Sequence, residues 1–330
     1  MALAHLVLGC WLLCCMQIVC CMQRSVYKDI GIGMNWQTNV IGSNVKGTQK
    51  QLIDLMSSGD GVRLSFATGE CGDETWGSFS ADKFAEANIG LLNSHGIQYT
   101  VSTGGANGLF TCSSTSGADR FLKRYVGSNL QGLDFDIETY MSPDQLSNLM
   151  RNVLHLQRNN PELTISFTLA SSASTGPDAS SINDLGKSVL TAATNVGLKY
   201  VVNLMAMDYG STPSQWICVL DDKKMCDMGA SAIQAAKNLN KKYGVPFTQI
   251  ALTPMIGMND ITNEIFTIED MKKVLEFGVK VGLAGLHYWS FDRDYQCPGS
   301  LVNASPTCSG VEQRPFQYYN LLMGHGHSEL

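Results

Sequence analysis

The feature that most constrains the fold is a recurrence of short apolar runs with strand-like composition. Eight such runs occur, at Asp29–Met34, Val62–Ala67, Ile97–Ser102, Leu130–Glu138, Leu163–Ala170, Tyr200–Met207, Gln249–Met255 and Ala284–Trp289. Their starts lie roughly 35 residues apart, except for about 50 residues between the sixth and seventh runs. This spacing suits strands that are each connected to a helix, and it favours an α/β fold, a (β/α)8 TIM barrel. A doubly wound open sheet is the alternative architecture.

The segments between these runs carry helix signals. The clearest helix begins at Ser142, whose side chain can cap the first turn, with Pro143 at the first helical position and Gln145 completing a capping box. A second helix is predicted to begin near Thr267. Weaker helical patterns occupy Ala81–Ser94, Ala118–Val126, Ile182–Asn195 and Ala230–Tyr243. Each predicted strand is therefore expected to be followed by a helix.

The first 21 residues form an apolar segment ahead of the predicted barrel. Residues 1–21 are nearly all apolar, and the first basic residue is Arg24. Such a segment is typical of a signal peptide, although about 20 apolar residues can also remain as an uncleaved anchor. We expect a signal peptide over residues 1–21, one barrel domain over residues 22–330, and a secreted protein. Retention in the lumen of the endoplasmic reticulum and anchoring in a membrane are the alternatives.

The cysteines agree with an exported chain. Of 11 cysteines, five lie in residues 1–21 and six follow the segment. An even number of cysteines in an exported chain predicts disulfide bonds. Six cysteines permit fifteen pairings. Loop proximity favours Cys71–Cys112, Cys218–Cys226 and Cys297–Cys308.

Charge and composition exclude two classes of protein. The chain has 23 Lys and Arg against 29 Asp and Glu, and no basic run that could neutralise adjacent phosphates. Nucleic acid is therefore not an expected partner. Hydrophobic residues make up 44% of the chain, which is too apolar for a disordered protein. We expect a monomer that does not contact a membrane once the leader is cleaved.

The fourth apolar run carries a pattern of carboxyl groups. Side chains alternate along a strand, so Asp134, Asp136 and Glu138 share one face, while Leu133 and Phe135 belong to the other. The apolar face can pack against helices, which turns the carboxyl groups into the barrel at its catalytic end. Their proximity predicts that at least one pKa is raised, leaving a protonated acid near neutral pH. Such an acid suits the cleavage of a glycosidic bond.

Two other interpretations of these three carboxyl groups are open. They can be solvated side chains of purely structural importance, or they can bind a divalent metal ion. Buried like charges are expensive to keep without a function. No His lies beside the three acids and no second acidic cluster is evident, so no metal and no cofactor is expected.

Aromatic residues mark the same end of the predicted barrel. Four tryptophans lie at or shortly beyond the ends of predicted strands, namely Trp36, Trp76, Trp216 and Trp289. A single tryptophan at such a place often fills the core or anchors a loop. Four at one rim favour a groove that stacks flat apolar faces, as sugar rings require.

Several ordered motifs resemble those of glycoside hydrolase family 18, the chitinases and chitobiosidases with a (β/α)8 catalytic domain. The fourth strand of that family reads Asp-Gly-x-Asp-x-Asp-x-Glu. Asp134, Asp136 and Glu138 match its last three acids, while Gln131 replaces its first Asp. The other similar segments are Ser102-Thr103-Gly104-Gly105, Met205-Ala206-Met207-Asp208-Tyr209, Leu252-Thr253-Pro254-Met255-Ile256-Gly257 and Gly285-Leu286-His287-Tyr288-Trp289. The seventh-strand segment is similar to bacterial-type chitinases in particular.

The resemblance implies substrate-assisted retention, in which the N-acetyl carbonyl of the sugar attacks its own anomeric carbon. In that mechanism Glu138 protonates the leaving oxygen and then activates a water molecule. Asp136 accepts the acetamido N–H, and Asp134 beneath it shares a proton with Asp136. Gln131 is expected deepest on the face of these acids, where it changes hydrogen bonding and pH dependence rather than removing activity.

The resemblance also implies contacts with the substrate outside the acid trio. Asp208 and Tyr209, preceded by Met207, orient the acetamido group. Trp289 forms the floor of the subsite that holds the distorted sugar. Ser102 of the third-strand motif is counted with these substrate-binding residues.

The connection between the last two predicted strands shapes the expected cleft. It has about 28 residues, enough for one helix but not for the α+β insertion that walls the groove of some relatives. An open cleft and endo-type cutting of β-1,4-linked N-acetylglucosamine, in chitin or chitooligosaccharides, are therefore expected. One alternative is an endo-β-N-acetylglucosaminidase acting on the chitobiose core of N-glycans. The other is a chitin-binding protein without catalysis, against which the presence of Glu138 counts.

Overall fold

The computed structural model describes residues 22–325 except Lys46 and Asp178. The expected signal peptide therefore lies outside the described residues. Eight strands, labelled β1 to β8, form the barrel: Gln23–Asp29, Gly61–Ala67, Gln98–Gly104, Leu130–Asp136, Thr164–Ala170, Val201–Ala206, Ile250–Pro254 and Gly285–Leu286. Each pairs in parallel with the next along the chain, and β8 pairs with β1, so the sheet is closed. The predicted TIM barrel is confirmed.

Seven α-helices lie among the described residues, and one follows each of the strands β2 to β8. They are labelled α1 to α7 and span Ala81–Ser94, Thr115–Tyr125, Pro143–Asn159, Asp184–Val196, Met228–Tyr243, Ile268–Val281 and Gln317–Met323. The predicted capping box of α3 is present, because Ser142 Oγ accepts a hydrogen bond from the Gln145 amide and Gln145 Oε1 accepts one from the Ser142 amide. Thr267 caps α6 in the same manner.

The expectation of a helix after every strand is wrong for β1. In place of a helix, β1 is followed by an antiparallel hairpin, Gly42–Val45 with Thr48–Gln51, and a short 3-10 turn at Leu52–Asp54. Gly33 has a φ of 72°, and a Cβ atom there would lie 2.8 Å from the Ser43 Cα. This close approach of the backbone needs glycine, and it folds the chain onto itself before a helix can begin.

The position of β1 also differs from the prediction. The strand spans Gln23–Asp29, whereas the apolar pattern pointed to Asp29–Met34. The difference arises because β1 carries buried polar side chains. Ser25 and Lys28 are both buried, so the strand does not read as an apolar run.

The loops at the carboxyl ends of the strands are held by three disulfide bonds. They join Cys71 to Cys112, Cys218 to Cys226 and Cys297 to Cys308, the pairs that loop proximity predicted. No helix within the described part of the chain is long and apolar enough to cross a membrane.

The connection from β7 to β8 is short. It holds a pair of two-residue strands, Gly257–Met258 and Ile265–Phe266, and the single helix α6. The structure therefore agrees with the prediction that the barrel lacks an α+β insertion at this point. The connection therefore adds no separate domain beside the cleft.

Candidate active site

The alternation of β4 divides its side chains between the barrel interior and the surrounding helices. Asp134 is fully buried in the interior, and Asp136 above it is 6% exposed. Phe135 points the other way, into an aromatic cluster with Phe110 and Phe167 at centroid distances of 6.0 and 5.9 Å. The strand therefore delivers its carboxyl groups to one side, as the sequence predicted.

Asp134 is surrounded by donors. Its Oδ2 accepts hydrogen bonds from the hydroxyls of Tyr27, at 2.9 Å, and Ser102, at 2.6 Å. Its Oδ1 accepts from the hydroxyls of Ser166 and Thr168, at 2.5 and 2.8 Å. All these partners come from other strands of the barrel. The four hydroxyls leave Asp134 fixed in one orientation.

Beneath Asp134 lies an ion pair with Arg63. Arg63 Nη1 lies 3.3 Å from Asp134 Oδ1, and both side chains are almost fully buried. Arg63 Nη2 also lies 2.9 Å from His287 Nε2, and His287 Nδ1 lies 2.7 Å from the Ser25 hydroxyl. Burial, followed by the charge of Arg63, lowers the pKa of His287 well below its usual value, so the imidazole is neutral. The barrel floor thus supplies one positive charge to Asp134.

The structure alters three of the sequence-based expectations for these residues. Asp134 was expected to share a proton with Asp136, but its hydrogen bonds go to the four hydroxyls, so it acts on Asp136 through its charge. Ser102 was expected to bind substrate, but it is fully buried and donates to Asp134. Gln131 was expected on the face of the acids. It is half-buried at the start of β4, where the register shifts between Leu130 and Gly132, and its amide donates to the Asn129 carbonyl at 3.4 Å.

Asp136 lines the cleft directly above this floor. Its Oδ1 is buried and has no hydrogen-bond partner. Burial raises the pKa of Asp136 well above its usual value, and the charges of Glu138 and Asp134 raise it further. Asp136 therefore combines a raised pKa with a buried oxygen that has no partner, at the lining of the cleft.

Glu138 lies just beyond the end of β4 and also lines the cleft. Burial raises its pKa, and the charge of Asp208 across the cleft adds to this effect. A carboxyl group with a raised pKa keeps its proton closer to neutral pH, as a general acid requires. The sequence-based prediction that proximity raises a pKa in this cluster agrees with these directions.

The segment after β6 places Met207 and Asp208 in the cleft lining and Tyr209 outside it. Asp208 has a φ of 51°, and its Oδ1 accepts a hydrogen bond from the Ile261 amide at 2.9 Å. Burial raises the pKa of Asp208. The amide of Tyr209 donates to Glu264 Oε2 at 2.9 Å. The hydroxyl of Tyr209 is buried without a hydrogen-bond partner among the described residues. Its contact with the acetamido group stays a prediction.

Two of the four rim tryptophans present a face to the cleft. Trp289 lines its floor and stacks on Phe66, with centroids 5.7 Å apart and an interplanar angle of 15°. Trp36 is 63% exposed on the cleft wall and stacks on Phe79 at 4.6 Å. Two stacked aromatic surfaces are thus available to flat sugar faces.

The other two tryptophans have different surroundings from those expected. Trp76 touches the cleft but is only 2% exposed, because it stacks on Phe84 at 4.1 Å and its Nε1 donates to the Tyr125 hydroxyl at 2.8 Å. Trp216 is exposed, but it lies over Gly176 and does not line the cleft. Trp76 therefore anchors a loop, and Trp216 is outside the candidate site.

The structure adds cleft residues that the sequence did not single out. Tyr27, Asp29 and Phe66 line the cleft from the ends of β1 and β2, and Asp260 lines it from the loop after β7. The correct position of β1 would have indicated Tyr27 and Asp29, since the active-site residues of a barrel lie at the carboxyl ends of its strands. No pattern in the sequence marks Asp260.

The cleft as a whole has a volume of about 470 Å³. No group of three or more His, Cys, Asp or Glu side chains in the described part of the chain is arranged to hold a metal ion. What the cleft offers chemically is a carboxyl group of raised pKa at Glu138, an oxygen without a partner on Asp136 and an aromatic surface at Trp289. This set is suited to acid-catalysed cleavage of a bond in a ring-shaped substrate.

Comparisons with known proteins find two relatives that are described as chitinases. No protein-family model matches the chain. The chain is 30% identical over 266 residues to a probable bifunctional chitinase/lysozyme of Escherichia coli strain K12, covering 73% of this chain and 28% of that protein. It is 28% identical over 283 residues to Endochitinase 11 of Metarhizium anisopliae, covering 78% of this chain and 53% of that protein. The chain thus spans less than two thirds of the length of both relatives.

Solved structures share the barrel. The catalytic domain of a hyperthermophilic chitinase from Pyrococcus furiosus matches with a TM-score of 0.71 and 24% identity, covering 92% of this chain and 94% of that one. A family GH18 chitinase from Chromobacterium violaceum matches with a TM-score of 0.53 and 16% identity, covering 82% and 78%. At 24% and 16% identity these matches show similarity of the fold alone.

Proposed function

This chain is related to the chitinases of glycoside hydrolase family 18, and from that premise we propose that it hydrolyses the β-1,4 linkages of N-acetylglucosamine polymers. The observation that carries the proposal is the pairing of Asp136 with Glu138 in the cleft. Both carboxyl groups have raised pKa values, and a buried oxygen of Asp136 has no partner. The function of the curated relatives, which are described as chitinases, supports the same substrate.

The first step breaks the glycosidic bond. Glu138 donates its proton to the glycosidic oxygen as the bond from that oxygen to the anomeric carbon breaks. The carbonyl oxygen of the sugar's own acetamido group forms a bond to the anomeric carbon, giving a cyclic oxazolinium intermediate. When the substrate binds, Asp136 releases to solvent the proton that its raised pKa favours in the free protein. The oxygen of Asp136 that has no partner then accepts the acetamido N–H, and the carboxylate opposes the positive charge that develops on this group.

The second step restores the enzyme. Glu138, now a carboxylate, takes a proton from a water molecule that attacks the anomeric carbon from the side of the departed group. The bond between the acetamido oxygen and the anomeric carbon breaks, and the sugar leaves with its original anomeric configuration. No protein nucleophile is required, because both displacements at the anomeric carbon are completed by the substrate and water.

The residues around the cleft support these separate roles of Asp136 and Glu138. Asp134 lies beside Arg63, and its charge adds to burial and to the charge of Glu138 in raising the pKa of Asp136. Trp289 supplies a flat floor on which the sugar ring can stack. Asp208 faces the cleft and its charge raises the pKa of Glu138, which keeps the acid loaded.

The shape of the site favours cutting within a polymer. The short β7–β8 connection leaves the cleft without an added wall, and exposed Trp36 extends the aromatic surface away from Trp289. We also propose that the protein is secreted and acts as a monomer. Three disulfide bonds support an oxidising compartment.

The test compares two substrates. The mature protein is incubated with an N-acetylglucosamine hexamer and, separately, with a high-mannose glycoprotein. Glu138→Gln is run beside it, with Glu276→Gln on the exposed surface of α6 as the matched control. We expect cleavage of the hexamer by the parent protein and by Glu276→Gln, and none by Glu138→Gln. Release of the glycan alone would indicate an N-glycan enzyme, and binding without cleavage of either substrate would contradict the catalytic function.

A further inference from the structure

One fully buried carboxyl group next to the cleft has no part in the proposed hydrolysis. Glu264 lies between the two short strands that follow β7, and its side chain is closed off from solvent. Its two oxygens accept hydrogen bonds from two successive backbone amides after β6. Oε2 accepts from the Tyr209 amide and Oε1 from the Gly210 amide, each at 2.9 Å. Glu264 therefore binds the backbone of the neighbouring loop.

The residue directly before these two amides is Asp208. It has a φ of 51°, a left-handed backbone conformation that residues other than glycine rarely adopt. Such a conformation persists where the surrounding contacts determine it. Two successive amides that converge on one anion also require a local backbone in which both N–H groups point to the same side. Glu264 therefore stabilises the turn that carries Asp208.

The same two loops are joined by contacts of Asp208 itself. Asp208 Oδ1 accepts a hydrogen bond from the Ile261 amide at 2.9 Å, and the Asp208 amide donates to Asn259 Oδ1 at 3.4 Å. Asn259 is fully buried, and its Nδ2 donates to the Met255 carbonyl at 2.9 Å. The Glu264 amide donates to the Ile261 carbonyl at 2.8 Å. Both the backbone and the carboxyl group of Asp208 are thus held by the loop that Glu264 ends.

The placement of Asp208 matters because its charge acts on the general acid. Burial raises the pKa of Glu138, and the charge of Asp208 raises it further. Asp136, two residues before Glu138, is the other carboxyl group of this pair in the cleft lining. Two more charges face Asp208: Asp260, after β7, raises its pKa, and Arg293, after β8, lowers it. The interaction of two charges weakens with distance, so a displaced Asp208 acts less on Glu138.

We propose that Glu264 is a positioning residue for the hydrolysis, which holds Asp208 in the orientation that directs the Asp208 carboxylate at Glu138. This inference rests on the proposed function, in which Glu138 is the general acid. Glu264 is not among the residues that line the cleft. It acts on the reaction through the loop that it holds and not through the substrate.

The test follows the titration of Glu138 in two variants of Glu264. Glu264→Gln removes the charge and sets a donor against a backbone amide, whereas Glu264→Asp keeps the charge but is one methylene shorter and cannot meet both amides. Protein labelled with carbon-13 at the glutamate carboxyl groups is titrated by NMR, and the Glu138 resonance is identified by its absence in Glu138→Gln. We expect both variants to lower the pKa of Glu138 by about one unit. Glu276→Gln, exposed on α6, is the matched control and should leave it unchanged.

The pH profile of hexamer hydrolysis gives a second readout. Above its midpoint, kcat declines as Glu138 loses its proton, so a midpoint lowered by about one unit reduces kcat about tenfold in that range. The shift caused by Glu264→Gln should vanish in a protein that also carries Asp208→Asn, because no charge is then left to be displaced. A purely structural role would lower kcat equally at every pH.

An unmoved titration of Glu138 in both folded variants would overturn the inference, as would a shift of equal size with and without Asp208→Asn. If neither variant folds, Glu264 maintains the barrel rather than the position of Asp208, and the inference is wrong. Cleavage of the hexamer by the parent protein together with an unmoved titration would leave the proposed function standing. A titration that moves as expected in a protein that leaves the hexamer uncut would do the reverse.

Discussion

Asp134 in the barrel floor and Asp136 in the cleft are two residues apart on β4, but their oxygens meet different surroundings. Asp134 accepts hydrogen bonds from four hydroxyl groups and pairs with Arg63. Asp136 is almost as deeply buried, yet one of its oxygens has no donor at all. An unpaired buried polar atom destabilises a protein by about 1–3 kcal/mol.

The difference separates a structural carboxyl group from a functional one. The donors around Asp134 fix its position in the barrel. In the proposed mechanism the substrate supplies the missing partner of Asp136, through the acetamido N–H. The unpaired oxygen of Asp136 thus lowers the stability of the folded protein. The oxygens of Asp134 cause no such loss, because each has hydrogen-bond donors.

The largest expected effect on stability comes from removing the floor carboxyl group. Asp134→Ala leaves the Arg63 guanidinium buried without its counter-charge, and four hydroxyls lose an acceptor. We expect the free energy of unfolding to fall by about 3–5 kcal/mol, as for other broken buried pairs. Denaturant titration measures the change, with Asp222→Ala as the surface control. A loss no greater than that of the control would remove the distinction between floor and cleft.

The matching change in the cleft is expected to act on catalysis and not on stability. Asp136→Asn removes the carboxylate that stabilises the oxazolinium charge, and kcat should fall by about 10²- to 10³-fold. Because burial raises the pKa of Asp136, its ionised form destabilises the folded protein as pH rises, so the neutral amide should not lower stability at pH 7. Steady-state kinetics and thermal unfolding at pH 7 test both parts. A marked loss of stability would make Asp136 structural as well.

A pH profile tests the electrostatic coupling inside the cleft. Burial and the charge of Asp208 raise the pKa of Glu138, and hydrolysis needs the protonated acid. Activity therefore declines as pH rises through the pKa of Glu138. Asp208→Asn removes the negative charge and lowers that pKa, so the decline of kcat should move to lower pH. An unmoved profile, or one displaced to higher pH, would contradict the coupling.

The smallest expected effect distinguishes the aromatic wall from an aromatic residue outside it. Trp36→Ala removes an exposed stacking surface in the cleft, and we expect KM for the hexamer to rise about twofold to tenfold, as for loss of one aromatic contact. Trp216→Ala, outside the lining, should leave KM unchanged. Equal increases for the two variants would show that the cleft extends to Trp216.

The barrel and the acid strand were predictable because their signals are local. Strand-to-strand spacing gives the closed sheet, and an alternation of period two puts Asp134 and Asp136 on one face. The capping box at Ser142 depends on residues three positions apart and was predicted in full, whereas at Thr267 only the start of the helix was predicted. Pairing of cysteines in nearby loops belongs to the same class of inference.

Contacts between distant strands were not predictable from such patterns. The partners of Asp134 include Tyr27 on β1 and Arg63 on β2, which lie far away in the sequence. Position at a strand end placed Trp76 at the correct rim, but it could not give the direction of the side chain, which depends on Tyr125 and Phe84. The buried polar residues of β1 hid that strand for the same reason, since their partners are in the rest of the barrel.

The central claim is that the acetamido group of the substrate, assisted by Asp136, takes the place of a protein nucleophile. The measurement that tests it most directly is the anomeric configuration of the first products released from the N-acetylglucosamine hexamer, followed by proton NMR before mutarotation. The account predicts products that begin as the β-anomer, the configuration of the bond that was cut. Products that begin as the α-anomer would mean direct attack by water and would contradict the account.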